Sequence, residues 1–291
     1  MNYVGYSIVA AVLFACNGLI SKYSSKHALR DPVALMIYFL LTNFILALAL
    51  LPFVSLSVPP LDVLRALIGA GLTYLVGFYL FYQAIAKVDA TSFAPIFQLQ
   101  AVVVLVLAYL FLGERFLPIN YFWSALVIFG AALVTLDESM SLKSFFKLEI
   151  GLLILMQFFH GTTGVLMAYA VKQLPMLEAL VWEFLFMGGA TGLILLIKRP
   201  ELVYPVKKVW PIILAGVLNF IGAIFLLTAF VSNVTLSTVI ALTQAPIIFV
   251  ATWVMGRINP KLLERHSKKV YLVRGIGLLV SLFGAIRLTL I

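Results

Sequence analysis

Apolar residues run along this chain in long unbroken stretches, separated by short polar breaks, from one end to the other. Reading the stretches between breaks predicts spans near 4–21, 33–52, 65–86, 92–112, 118–136, 149–171, 176–197, 210–231, 235–255 and 271–290. Each comes close to the roughly 20 residues that a helix needs to cross about 30 Å of hydrocarbon. A membrane-crossing strand would show polar alternation over about 10 residues. These stretches are continuous, so helices are the way for their backbone N–H and C=O groups to be satisfied in lipid. The expected fold class is an all-α membrane protein of ten transmembrane helices.

The pattern repeats. Residues 3–136 and 149–290 match at an offset of 145 or 146. Ala70-Gly71 corresponds to Ala215-Gly216, Gly77 to Gly222, Ala84 to Ala229 and Ser92 to Ser237, all at 145. Gly5, Gly18 and Tyr23 correspond to Gly151, Gly164 and Tyr169 at 146. The expected organisation is two five-helix repeats, 1–137 and 149–291, joined by a linker at 138–148. Five is odd, so the second copy enters the membrane from the opposite side and the pair is inverted.

Charge tests the inversion, because equivalent loops of inverted copies face opposite sides and their Lys and Arg content should differ. The loop at 113–117 carries Arg115, whereas 256–270 carries Arg257, Lys261, Arg265, Lys268 and Lys269. The loop at 53–64 is followed only by Arg65, whereas 198–209 carries Lys198, Arg199, Lys207 and Lys208; in the other direction 22–32 carries Lys22, Lys26 and Arg30 against Lys172. The richer side is expected to be cytoplasmic, which places both termini outside a multi-pass protein of the cell membrane. Lys22 and the basic loop 257–269 read as determinants of this orientation, with anionic lipid as the lesser reading. Glu114-Arg115 reads as a stabiliser of a tight turn.

Composition agrees: 64% of residues are hydrophobic and 11% charged, against about 45–50% and about 25% in a soluble domain. The net charge of +9 does not imply a nucleic-acid partner, since the basic residues sit at the ends of apolar runs and form no stripe. The N-terminus lacks the basic region of a signal peptide, so the first run is expected to remain as a span. Cys16 is the single cysteine and reads as packing.

Residues 79–136 and 222–290 resemble the EamA repeat of the drug/metabolite transporter superfamily. The resemblance is carried by Tyr79-Leu80-Phe81-Tyr82-Gln83-Ala84, by Ala90-Thr91-Ser92, by Leu112-Gly113-Glu114-Arg115 and by Gly130-Ala131-Ala132. There are departures. The proline expected in the fourth helix is Ala101 here, with Pro246 at the matching place in the second copy. Met255-Gly256-Arg257 stands for Leu-Gly-Glu, and an arginine common early in the second helix of a repeat is Tyr38 here and Glu183 in the second copy. The resemblance implies a ten-helix carrier with a central cavity, working by alternating access on amino acids, other metabolites, nucleotide sugars or drugs.

Ionisable and amide side chains inside spans are expensive and mark sites. Glu183 is the most deeply placed carboxylate, read as a proton-coupling group or as a carboxylate paired within a packed helix; Glu178 is assigned to the interface. His160, matching Phe14, either contacts substrate or hydrogen-bonds a neighbouring helix. Asn17 and Thr163 occupy equivalent depths in the two copies. Gln98 and Gln100 in the fourth span, and Thr243 and Gln244 beside Pro246 in the ninth, suggest a cavity wall or bonds between helices. Tyr74, Tyr79 and Tyr82 share a broad sector of the third span, with Asn219 opposite Tyr74 in the second copy; one or two of the three tyrosines are expected at the cavity.

His27, His160 and His266 are far apart in sequence, and no H-E-x-x-H or Gly-x-Ser-x-Gly pattern occurs. Neither an enzyme nor a metal or other cofactor is expected. The expectation is a secondary transporter of small organic solutes, an exporter of amino acids or related metabolites, with lipids and protons as further partners, acting as a monomer or homodimer. The alternative is a flippase for lipids or lipid-linked sugars, disfavoured because the central parts of the spans carry no Arg or Lys for a charged headgroup. A multidrug carrier and a nucleotide-sugar exchanger rank lower.

Overall fold

The structure, a computed structural model, describes residues 3–112, 117–134, 136, 146–198, 202–232, 234–258 and 266–289. Most of the 138–148 linker, the Glu114-Arg115 turn, Arg199, Lys261 and Arg265 lie outside the described residues. Eight of the ten apolar stretches are single helices: α1 (Tyr3–Tyr23), α2 (Pro32–Leu50), α3 (Leu61–Ile85), α6 (Pro118–Val134), α7 (Leu148–Ala170), α8 (Met176–Lys198), α9 (Val206–Phe230) and α12 (Lys268–Thr289). The fourth is split into α4 (Ala90–Ile96) and α5 (Leu99–Leu112), and the ninth into α10 (Val234–Ala241) and α11 (Gln244–Ile258). Seven of the ten stretches are long and apolar enough to cross a membrane as one helix, and three shorter apolar helices complete the set.

Local chemistry sets the helix starts. Asp31 accepts from the Val33 N–H at 2.9 Å ahead of Pro32, which needs no partner in the first turn. Pro60 precedes α3 and Pro205 precedes α9, one repeat offset of 145 apart.

The two splits differ from the expected continuous fourth and ninth helices, and they fall at matching positions, since 97 plus 145 is 242. Near Phe97 the ladder tightens, with Gln98 N donating to Pro95 O at 3.0 Å and Ala101 N to Gln98 O at 3.1 Å. Near Leu242, Ala245 N donates to Leu242 O at 3.1 Å. Pro246 has no N–H to offer the Leu242 carbonyl one turn earlier. Gln98 Nε2 of the other repeat donates to that carbonyl instead, at 3.0 Å.

Packing follows a two-fold relation between the halves. α3 packs on α7 as α9 packs on α1, α3 on α8 as α9 on α2, and α6 on α12. Close approach is set by glycines at matching places. A Cβ on Gly71 would lie 2.8 Å from Glu183 O and 2.9 Å from Met187 N of α8, and one on its mate Gly216 would lie 3.2 Å from Phe39 O and 2.8 Å from Thr42 Cβ of α2. Between the halves sits an aromatic core that includes Phe39, Phe78, Phe93 and Phe184. The outer surface is apolar, with Ile45, Leu72, Leu193 and Phe283 exposed as a lipid-facing helix bundle requires.

Candidate functional site: a cavity between the repeats

A cavity of about 180 Å³ lies where the halves meet. α1, α3, α7, α8 and α9 line it, together with the residues around both helix breaks. Asn17, Tyr74, Gln100, His160, Thr163, Glu183, Asn219 and Gln244 all contribute to its wall.

Four other sequence candidates do not. Tyr79 is 44% exposed on the outer surface, pointing away from the bundle. Tyr82 is fully buried beyond the cavity, its hydroxyl 3.1 Å from Ser21 Oγ. Gln98 is spent on the Leu242 carbonyl. Thr243 donates back to Ile240 O at 2.6 Å, as a hydroxyl does where a helix ends. Spacing along one helix shows which residues share a face but not which face meets the cavity, and that is set by the helices packed around it.

The polar wall is built around Asn219. Its Nδ2 donates to the Tyr74 hydroxyl and to Asn43 Oδ1 at 3.1 Å, while its Oδ1 accepts from Asn17 Nδ2 at 3.4 Å. Ser21 Oγ donates to Asn17 Oδ1 at 3.1 Å and carries the network on to Tyr82. Thr163 meets Thr73 at 2.8 Å on the α3–α7 contact.

His160 lies against Gly77, where a Cβ would come 2.7 Å from its Nε2, and its ring sits 4.9 Å from Phe78 and 6.2 Å from Tyr74. The mate of this contact is Phe14 on Gly222, with 2.7 Å from Phe14 Cε1 to the built Cβ. The imidazole thus occupies the place of a packing ring, and its Nε2 has no hydrogen-bond partner among the described residues.

Two carboxylates on α8 part company. Glu178, assigned from sequence to the interface, is 4% exposed, and its Oε1 accepts from Ser57 N at 2.8 Å and Ser57 Oγ at 2.7 Å. Glu183 is equally buried, but it faces the cavity and no hydrogen bond from the described residues holds it.

Gln157 was missed in the sequence. It is 1% exposed, lines the cavity one turn from His160, and its Oε1 is unpartnered. The rule that singled out Gln98, an amide deep in an apolar run, would have found it.

A second polar cluster was also missed. Lys22, expected as an orientation marker, is 1% exposed and donates to Ile85 O at 2.9 Å and Val88 O at 2.8 Å, satisfying carbonyls at the end of α3. Arg274 of α12, as deeply buried, donates to Leu136 O at 3.0 Å, to Thr91 Oγ1 and to Asp89 Oδ2 at 3.3 Å. His266 Nε2 stands 3.1 Å from the same carboxylate oxygen. Burial pushes the Asp89 carboxyl up, but the hydrogen bond and charge of His266, with Arg274 and Lys22, outweigh it and hold its pKa at about 2. Both cations lie at the ends of their spans, and among the described residues lining the cavity there is no Lys or Arg. The cluster lies at the face where α1 and α3 end, whereas the lining extends to Phe230 at the C-terminal end of α9.

The EamA-like transporter family model matches residues 1–136 and again 147–286. The chain belongs to the EamA-like transporter family. It is a multi-pass membrane transporter, as the resemblance implied, and transport rather than catalysis is the business of this EamA family. A solved structure titled only as a crystal structure of a protein covers 99% of this chain and 96% of its own, with a TM-score of 0.66 and 14% identity. That likeness shows the fold alone. No curated protein matches the sequence.

Proposed function

We propose that this EamA-family protein is a secondary transporter of the cell membrane that exports amino acids or related amphipathic metabolites by alternating access. The halves 1–137 and 149–291, joined through 138–148, rock about the cavity, and the protein acts as a monomer or homodimer with both termini outside. Substrate contacts fall to Asn17, Tyr74, Gln100, His160, Thr163, Asn219 and Gln244. Glu183 exchanges a proton as access alternates.

One observation carries the reading: Glu183, with no hydrogen bond from the described residues, faces a cavity at the repeat junction whose other described lining residues include no Asp, Glu, Lys or Arg. About 180 Å³ is less than the roughly 300 Å³ at which drug-sized ligand sites begin. Small metabolites fit this better than nucleotide sugars or large drugs. The absence of Lys and Arg among the described lining residues disfavours a phosphate headgroup, and with it the flippase.

The test is uptake into liposomes under an imposed pH gradient, with solutes chosen from a thermal-stability panel of amino acids, amines, nucleobases, nucleotide sugars and lipid phosphates. A ligand at a hundredfold excess over Kd adds about 2.7 kcal/mol, which melting detects. Glu183→Gln is expected to abolish pH-driven uptake. Unchanged pH dependence in that variant removes Glu183 from the mechanism, and stabilisation by lipid phosphates alone transfers the proposal to a flippase.

A further inference from the structure

Resting on the carrier reading, we infer that the cavity selects an organic amine: a small solute with one ammonium group, an apolar or aromatic body and no carboxylate. Charge balance is the first reason. Glu183 is the one acidic or basic side chain, histidine aside, that lines the cavity among the described residues, and no described hydrogen bond satisfies it. A buried carboxylate without a partner is costly, and a ligand cation removes that cost.

The second reason concerns what the cavity lacks. A zwitterion would bring its own carboxylate into a space that offers it only neutral donors. The buried cations Lys22 and Arg274 are not among the described lining residues and are engaged with Ile85 O, Val88 O, Leu136 O, Thr91 and Asp89. One carboxylate balances one ammonium, and a further negative charge would stand uncompensated.

The lining supplies what else an ammonium needs. Such a group has three donors and no acceptor. Gln157 Oε1, buried and without a partner among the described residues, offers an acceptor elsewhere in the wall of the same cavity. Tyr74 stands 4.7 Å from Phe78 and 5.4 Å from Phe184 between ring centroids, so aromatic faces surround the site. A desolvated cation gains from such faces, and an apolar body packs on them.

The polar groups that meet the ammonium belong to one half only. The mate of Glu183 is Tyr38, whose hydroxyl donates to Leu202 O, and the mate of Gln157 at 146 is Ala11. The second repeat therefore holds the charged end of the solute, and the first repeat, through Tyr74 and Phe78, holds its body.

Four probes of one shape test this in calorimetric titrations of the purified full-length protein: phenethylamine, phenylalanine, phenylacetate and 2-phenylethanol. Phenethylamine is expected to bind about tenfold or more tightly than phenylalanine, the fold-change of a charge-assisted hydrogen bond. Glu183→Gln should weaken phenethylamine by about the same factor while leaving 2-phenylethanol unchanged, and Glu183→Asp should restore part of the loss. Phenylalanine bound as tightly as phenethylamine, or phenethylamine bound equally by wild type and Glu183→Gln, overturns the amine assignment. If phenylalanine is also transported in liposomes, the carrier reading survives that failure. If no solute of the wider panel is transported, the carrier reading falls with it.

Discussion

Tyr74 and Asn219 are one repeat offset apart, 145 residues, and they hydrogen-bond to each other. A two-fold relation sends each of these positions to the other, so contact between them places both beside the pseudo-axis. The cavity is built there, and the two copies of one ancestral position have become a phenol and an amide that pair. Because the sequence differs between the copies, the wall at the axis is asymmetric even though the backbone arrangement is not.

Asn219 bonds to Asn17, Asn43 and Tyr74, whereas the described bond of the Tyr74 hydroxyl is to Asn219 alone. Asn219→Leu is therefore expected to cost more than Tyr74→Phe. Bonds between membrane helices average about 0.6 kcal/mol, so the first should lose about 1–2 kcal/mol and the second about half of that. Thermal unfolding in detergent of both variants decides it; a larger loss for Tyr74→Phe would contradict the network.

Gly71→Ala should destabilise by about 1–3 kcal/mol, since the new methyl would meet the α8 backbone at 2.8 Å and 2.9 Å and backbone cannot move aside. Gly189→Ala is the matched control, with nothing within 4 Å of its built Cβ. In a helix that change is expected to be neutral or to add about 0.5–1 kcal/mol. Melting temperatures of the pair read the difference directly.

Gln98 and Gln100 should separate stability from binding. Gln98→Leu leaves the Leu242 carbonyl without its side-chain donor and is expected to lower the melting temperature, by about 1–3 kcal/mol of lost stability, while ligand affinity stays unchanged in the folded fraction. Gln100→Leu should do the reverse, because Gln100 lines the cavity. Titration and melting of both variants against any ligand found in the panel would expose a wrong assignment.

Asp89 contributes stability with a defined pH sign. Its pKa lies at about 2 in the folded protein against the ordinary 3.8. A lowered folded value means the contribution is fully present above the ordinary value and is lost as pH falls through the folded one. The stability difference between wild type and Asp89→Asn should therefore shrink as pH falls from about 4 towards about 2. Melting across that range checks it. A difference that grew with acidity would show that the His266 and Arg274 contacts do not hold the carboxylate ionised.

Much of the fold was legible because lipid leaves few options. Ten apolar stretches and an offset of 145 or 146 predicted the helices, and Gly71 with Gly216, or Gly77 with Gly222, marked where mates would pack. The site was legible in part. Asn17, Gln100, His160, Glu183 and Gln244 reach the cavity as polar groups in apolar runs should. Tyr79 does not, because a helix in lipid buries only one side and a tyrosine is tolerated on the other. Lys22 was read as a charge left at the membrane surface, but free carbonyls at the end of α3 draw it inward.

The sequence alone determined what kind of object this is: an all-helical membrane protein of two five-span copies, because hydropathy and repetition are local properties of the chain. It also identified the family through short motifs. Only the tertiary structure decided that the fourth and ninth stretches break, that Gln98 bridges to Leu242, and that Lys22, Asp89 and Arg274 form one cluster. It alone separated Glu178, satisfied by Ser57, from Glu183, left free in the cavity. Whether a polar side chain is structural or available depends on which partner another helix brings to it, and residues up to 202 positions apart in the chain make those meetings.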